Sequence, residues 1–314
     1  MRKRQNFALP SVTSTYAGEA AGKYIAAALL SAKTLEQEAI TIMPNVKYKS
    51  VIQKVDVSGI IHDASCDFTT SGSVALSERV LEPKELQVNL ELCKQEFLTS
   101  WEALQLGYSA FDEIPRDFND YLVSYVGGKV AEATEQQIWA GVNASNGQFG
   151  GLLPAISASA AAGTATDAIQ TSQSGSINST NVIAALESLE DAIPNTVYGK
   201  EDLVIYAPTN VVKAYHQALG TNYANGFNNQ VTVGAKPLNF NGTDIVHCPG
   251  MTNSYLVAAQ KSNLFFGTGL LSDHNEVRVL DMADLDGSQN YRVIMRYTGG
   301  TQFGIGQDIA IYIP

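Results

Sequence analysis

The side chains able to do chemistry in this 314-residue chain are few and scattered. Four histidines, His62, His216, His247 and His274, stand apart, and no H-E-x-x-H metal helix occurs. His274 follows Asp273, and the pair reads as an exposed loop. His247 and Cys248 are adjacent, so on a strand they point to opposite faces and joint metal ligation is awkward. Asp281, Asp284, Asp286 and Gly287 hint at a calcium loop. In that spacing the first ligand falls on Met282, which cannot serve, so the segment reads as a turn. Gly300, Gly304 and Gly306 resemble a phosphate cradle only loosely, because a strand pattern follows them; they read as a bend. No phosphate-loop lysine motif and no G-x-S-x-G elbow is present. Cys66, Cys93 and Cys248 are odd in number and far apart, which implies neither a zinc ribbon nor a disulfide framework and fits a reducing cytoplasm. Trp101 and Trp139 each fall at the end of an expected element and read as packing residues. Catalysis therefore has no constellation to stand on, and no cofactor is implied.

The elements themselves are more informative. Residues 1–42 form an arm, polar through Tyr16 and then Ala-rich and helical over Glu19–Glu38. With little core of its own, the arm must lie on something else. Residues 43–95 read as long β ribbon, with Leu86, Val88, Leu90 and Leu92 alternating with polar neighbours. Within it, Asp56–Ser77 is rich in Ser, Thr and Gly and reads as a projecting hairpin or loop. Isolated two-stranded ribbons are marginal in water, so this one needs a neighbour to cover it. The longest helix spans 115–141, with Phe118, Leu122, Val126, Val130 and Ala133 on one stripe and Gly141 as its C-terminal cap. Gly127 and Gly128 inside it cost about 1 kcal/mol each relative to Ala. Residues 154–181 are dominated by Ala, Ser, Thr and Gly and read as a linker.

A helix–strand–helix unit follows. Val182, Leu186, Leu189 and Ile193 make one apolar stripe, Leu203–Tyr206 a short strand, and Thr209 caps a helix that Gly220 ends. The Asn- and Gly-rich stretch Gly220–Gly242 is long for a connection in a compact domain. The last 70 residues are strand-rich: Tyr291, Val293, Met295 and Tyr297 alternate, as do Ile309, Ile311 and Ile313, and Asp286-Gly287 suits a hairpin turn.

Composition narrows the function classes. Charged residues are 16% against about 25% in ordinary soluble domains, and hydrophobic ones 45%. A surface so short of charge suits burial against other subunits. The formal net charge of −11 argues against a nucleic-acid grip, since only Arg2, Lys3 and Arg4 cluster. No run reaches the ~20 apolar residues of a membrane helix, and no secretory signal follows the basic start.

The order of parts resembles the Hong Kong 97-type fold of tailed-phage capsid proteins. NVIAALESLEDAIPNTVYGKEDLVIYAPTNVVKAYHQAL, 181–219, resembles that family's apical domain. SNLFFGTGLLSDHNEVRVLDMADLDGSQNYRVIMRYTGGTQFGIGQDIAIYI, 262–313, resembles its closing peripheral-domain strands. The likeness is greatest to capsid proteins of phages of gut Bacteroidetes. It implies an α+β chain divided into an N-terminal arm at 1–42, an extended loop and peripheral strand at 43–95, and a peripheral domain at 96–177 holding the spine helix 115–141. An apical domain at 178–260 and closing peripheral strands at 261–314 complete it. It further implies a non-catalytic shell protein forming hexamers and pentamers around double-stranded DNA that it contacts without sequence specificity. Partners would be itself, a separate scaffolding protein (the arm is short), a portal protein at one vertex, and decoration or minor capsid proteins, with no membrane. Its place would be the virion, assembled in the host cytoplasm. Expected subunit contacts are Arg2, Lys3, Arg4, Asp67, Thr70, Asn222, Asn225, Asn228 and Asn229. Some members crosslink through a lysine; Lys47, Lys49 and Lys54 are available, but no full constellation matches and no crosslink is expected. An encapsulin-type nanocompartment shell and a cytosolic enzyme lacking a recognisable motif are the competing readings.

Overall fold

A computed structural model describes residues 14–16, 32–61, 63–64, 66, 72–93, 116–172, 175–223, 238–269, 277–282, 287–288 and 290–314. In chain order the elements begin β1 (Ser14–Tyr16), α1 (Lys33–Glu36), β2 (Thr41–Pro44), β3 (Ser50–Ser58), β4 (Ser73–Leu81) and β5 (Lys84–Cys93). Then come α2 (Arg116–Ala140), α3 (Leu152–Ala162), β6 (Ile169–Thr171), α4 (Val182–Asp191), β7 (Leu203–Ala207) and α5 (Thr209–Tyr223). The chain closes with β8 (Leu238–Phe240), β9 (Thr243–His247), β10 (Leu256–Gln260), β11 (Leu264–Thr268), β12 (Val277–Asp281), β13 (Asn290–Phe303) and β14 (Ala310–Tyr312).

The first sheet is organised by β13. This 14-residue strand pairs antiparallel with β5 over Asn290–Gly299, with β12 over Tyr291–Ile294 and with β11 over Gly300–Phe303. The alternation expected from sequence holds: Tyr291, Val293, Met295 and Tyr297 are buried, while Arg292, Ile294 and Arg296 lie on the other face. The arm contributes β1 and β2 to the same sheet, β1 on β12 and β2 parallel to β11.

The second sheet has the order β6-β14-β10-β7-β9-β8. It separates two cores, which explains the unbroken apolar run of β7. Val204 and Tyr206 face the larger core with α2 and α3, while Leu203, Ile205 and Ala207 face the smaller one under α4 and α5. A strand covered on both faces cannot alternate polar and apolar residues.

The arm base is locked into the larger core. Ala32, Leu35, Ala39 and Ile40 are buried there. The Thr34 N–H donates to Glu135 Oε2 at 2.9 Å and the Thr34 hydroxyl to Glu135 Oε1 at 2.6 Å. Trp139 Nε1–H donates to Thr34 Oγ1 at 2.9 Å, and the Tyr206 hydroxyl donates to the Ala39 carbonyl at 2.5 Å. Burial pushes the Tyr206 phenol well above its ordinary pKa, so it stays a donor.

Several elements differ from the sequence reading. Residues 154–181 are not one linker: α3 occupies its start, with Leu152, Leu153, Ile156, Ser159 and Ala160 buried, and β6 follows. Small side chains there allow close packing rather than marking a loop, and the helix ends at Gly163 with φ +66°. Helix α5 runs past Gly220 to Tyr223. Thr209 is its first residue, and its hydroxyl meets His247 instead of capping the helix. Of the two readings of 56–77, the hairpin is the one found: β3 extends to Ser58 and pairs antiparallel with β4, which starts at Ser73. The sequence left the sheet of the last strand open: β14 lies between β6 and β10 in the second sheet, with Ile309 and Ile311 reaching one core and Ala310 and Tyr312 the other. Of the expected arm helix, Lys33–Glu36 is helical, while Glu19–Ser31 lies outside the described residues.

Three expectations follow. Glu135→Ala leaves both Thr34 donors unpaired in the core and should lower the free energy of unfolding by about 3 kcal/mol in urea denaturation; a loss below about 0.5 kcal/mol would show the clamp to be dispensable. Gly250→Ala should destabilise by more than about 2 kcal/mol, because a Cβ there would lie 2.2 Å from the Glu135 carbonyl oxygen. By contrast Gly128→Ala, with open space around its Cβ in the middle of α2, should stabilise by about 1 kcal/mol in the same assay.

Candidate functional site

Polar clusters in the described structure are occupied by structural work. Among the described residues no group of three or more His, Cys, Asp or Glu is placed to hold a metal ion. Asp167 accepts hydrogen bonds from the Thr164 N–H and hydroxyl and from Ser159, which hold its carboxyl below the usual range and fix the turn after α3. Asp202 accepts from Ser262 and Gln260, tying the start of β7 to the end of β10. Cys248 is fully buried, and burial followed by the Glu135 carboxylate pushes its thiol well up, so it is a poor nucleophile. His247, its neighbour, points the other way, to Thr209 and Lys33. Gly304 and Gly306 sit between β13 and β14, where the Gly304 N–H donates to the Asn263 carbonyl; the bend reading holds for these two, while Gly300 lies inside β13 opposite Gly267. Gly287, at φ +75°, lies in the connection between β12 and β13. Trp139 is a core residue.

The surface that stands out is the β3–β4 ribbon. Its register sets Val51 opposite Val80, Gln53 opposite Glu78, Val55 opposite Leu76 and Val57 opposite Val74. Directly opposed residues of an antiparallel pair share a face. One face of the ribbon is thus apolar with a single polar break, and it is uncovered: Val55 is 59% exposed, Val74 66% and Leu76 73%. Past Ser58, Ile60 and Ile61 are exposed as well. The opposite face meets the body at its base. Arg79 lies 3.9 Å over the Phe303 ring, Gln302 Nε2–H donates to the Val80 carbonyl, and Leu81 is buried against Gly267. Lys49 pairs with Glu82 at 3.2 Å beside it. The ribbon is rooted on one side and open on the other.

Of the residues expected at subunit contacts, Arg2, Lys3, Arg4, Asp67, Thr70, Asn225, Asn228 and Asn229 lie outside the described residues, as does the side chain of Asn222, whose backbone is in α5. His62, His274, Trp101, Asp284 and Asp286 lie outside them too. Sequence reading missed the apolar ribbon face, although the alternation of Val51, Val55 and Val57 with Ile52, Lys54 and Asp56 was there to find. It also missed Glu135, which a polar type marks as solvent-facing; its place one helical turn before Trp139 is the only hint that it points inward.

No protein-family model matches the chain, and no curated protein does. Solved structures do. The capsid of an empty GTA particle aligns with a TM-score of 0.59 at 11% identity, covering 90% of this chain and 89% of that one. The procapsid of satellite phage P4, which includes a size determination protein, aligns at 0.56 and 11%, covering 92% and 97%. A chain of Gordonia phage Cozz aligns at 0.56 and 10%, covering 89% and 86%. At such identities the likeness is one of fold: the chain has the Hong Kong 97-type α+β fold of phage capsid subunits.

Proposed function

We propose that this chain is a shell-building major capsid protein of a tailed phage, structural rather than catalytic. The observation that carries the reading is the uncovered apolar face of the β3–β4 ribbon, projecting from a body of capsid fold. Half-exposed Val and Leu side chains gain about 1 kcal/mol each when the rest of their surface leaves water. The six on this face, Val51, Val55, Val57, Val74, Leu76 and Val80, supply several kcal/mol for one contact repeated around a ring. The occupant is a second copy of this chain, because closed shells repeat one heterologous contact between identical subunits.

On this reading residues 1–42 are the arm, 43–95 the extended loop, 96–177 the peripheral domain with its spine helix, 178–260 the apical domain and 261–314 the closing strands. Hexamers and pentamers enclose double-stranded DNA, and the net charge of −11 keeps the wall from trapping it. The Asn-rich stretch Gly220–Gly242, with Asn222, Asn225, Asn228 and Asn229, faces its symmetry mates, since amides that donate and accept adapt to both ring sizes. Arg2, Lys3, Arg4, Asp67 and Thr70 are further subunit contacts. A scaffolding protein, a portal and decoration proteins complete the particle, built in the host cytoplasm. The special likeness to capsid proteins of gut Bacteroidetes phages rests on the sequence segments alone.

The test replaces Val55, Val57, Val74 and Leu76 together by Thr, which keeps strand propensity and removes the apolar face. Far-UV circular dichroism should be unchanged and the Tm should move by less than about 4 °C. Light scattering should show large particles for the wild type and only small species for the variant. A wild type that stays monomeric across salt and concentration overturns the proposal, as does a variant that assembles like it. Purified particles should contain DNA; a packaged protein instead would identify a nanocompartment.

A further inference from the structure

His247 ends β9 at the place where the arm base meets the second sheet. Its Nε2 lies 2.8 Å from Thr209 Oγ1 at the start of α5, and its Nδ1 lies 3.5 Å from Lys33 Nζ in α1. An ammonium only donates, so Nδ1 must accept and carry no proton; the proton is on Nε2, which donates to the threonine hydroxyl. The Lys33 contact therefore requires the neutral imidazole, while the Nε2–H donated to Thr209 is kept in either charge state. The charged groups acting on the ring are Lys33 from α1 and Lys213 from α5, and among the described residues no carboxylate pairs with it.

We infer that His247 is a proton-sensitive fastener: charging its imidazole weakens the hold of arm residues 32–40 on β9. A proton on Nδ1 sets donor against donor and adds a third positive charge to the two lysines that act on the ring. Burial, then Lys33, then Lys213, lowers the pKa of His247 from its ordinary 6.5. The folded chain thus binds this proton less readily than the unfolded one. The stability that the contact contributes is complete above about pH 6.5, and the contact itself is lost as pH falls through the lowered folded value. The consequence reaches further than one hydrogen bond, because the residue after Lys33 is Thr34, which clamps Glu135 of α2.

Hydrogen–deuterium exchange of the whole chain tests this, read on peptides spanning 32–40 between pH 7.5 and 5.0 and corrected for intrinsic rates. Protection there should fall about tenfold in the wild type. His247→Gln, which accepts and donates as the neutral ring does, should hold protection within about twofold. Lys33→Met removes the nearer cation and should cut the wild-type fall by about threefold or more. Peptides in β5 report global stability and should respond alike in all three proteins. An equal fall in wild type and both variants would assign the response to other groups and overturn the inference, as would a wild type whose arm base shows no fall.

Discussion

A carboxylate buried in an apolar core must find hydrogen-bond donors there, and the donors that meet Glu135 come from the arm. Thr34 supplies both its N–H and its hydroxyl, and the same hydroxyl accepts from Trp139 one helical turn further along α2. Leaving such a group unmatched costs about 1–3 kcal/mol per lost donor. The helix is therefore satisfied only when the arm base is in place, and the arm is part of the fold rather than an appendage to it. Nearby contacts repeat the arrangement: Ala39 takes the Tyr206 hydroxyl of the second sheet, and β2 pairs with β11 of the first. One segment of about fifteen residues, 32–46, thus joins the long helix to both sheets.

The ribbon obeys the opposite rule. Its base is anchored by Leu81, Arg79 and Gln302, but beyond it the apolar pairs are exposed, with no packing partner among the described residues. A lone hairpin with this sequence would be marginal in water. Within the chain, a rigid root and an unsatisfied face together make a projection whose natural complement is another molecule. The same chain that over-satisfies its arm leaves its ribbon short of a core, and the division marks which contacts close within a subunit and which are left for assembly.

Much of the architecture was legible from periodicity. The stripe of α2 is realised at Val126 and Val130, the alternation of β13 is realised throughout, and the helix–strand–helix unit from Val182 to Tyr223 is present with its apolar faces inward. Composition was a poorer guide. The Ala- and Ser-rich segment after Gly151 looked like a linker because those residues are common in loops, yet small side chains are also what lets α3 lie close against α2 and β13. Likewise Gly220 looked like a helix end, and α5 carries it as an interior residue.

What the sequence by itself determined is local: which segments are helix or strand, and which side of each is apolar, because side-chain spacing of two or about 3.6 residues follows from backbone geometry alone. Which apolar faces meet was decided by tertiary structure. The run Leu203–Ala207 shows that a strand is covered on both sides without showing by what, and Ile309–Ile313 reads as a strand without showing that it crosses to the second sheet. Glu135 gives no sign in sequence that its partner lies 101 positions earlier. Pairings of that separation are set by the simultaneous packing of the whole core and the need to satisfy every buried polar group in it, and no window of sequence contains both partners.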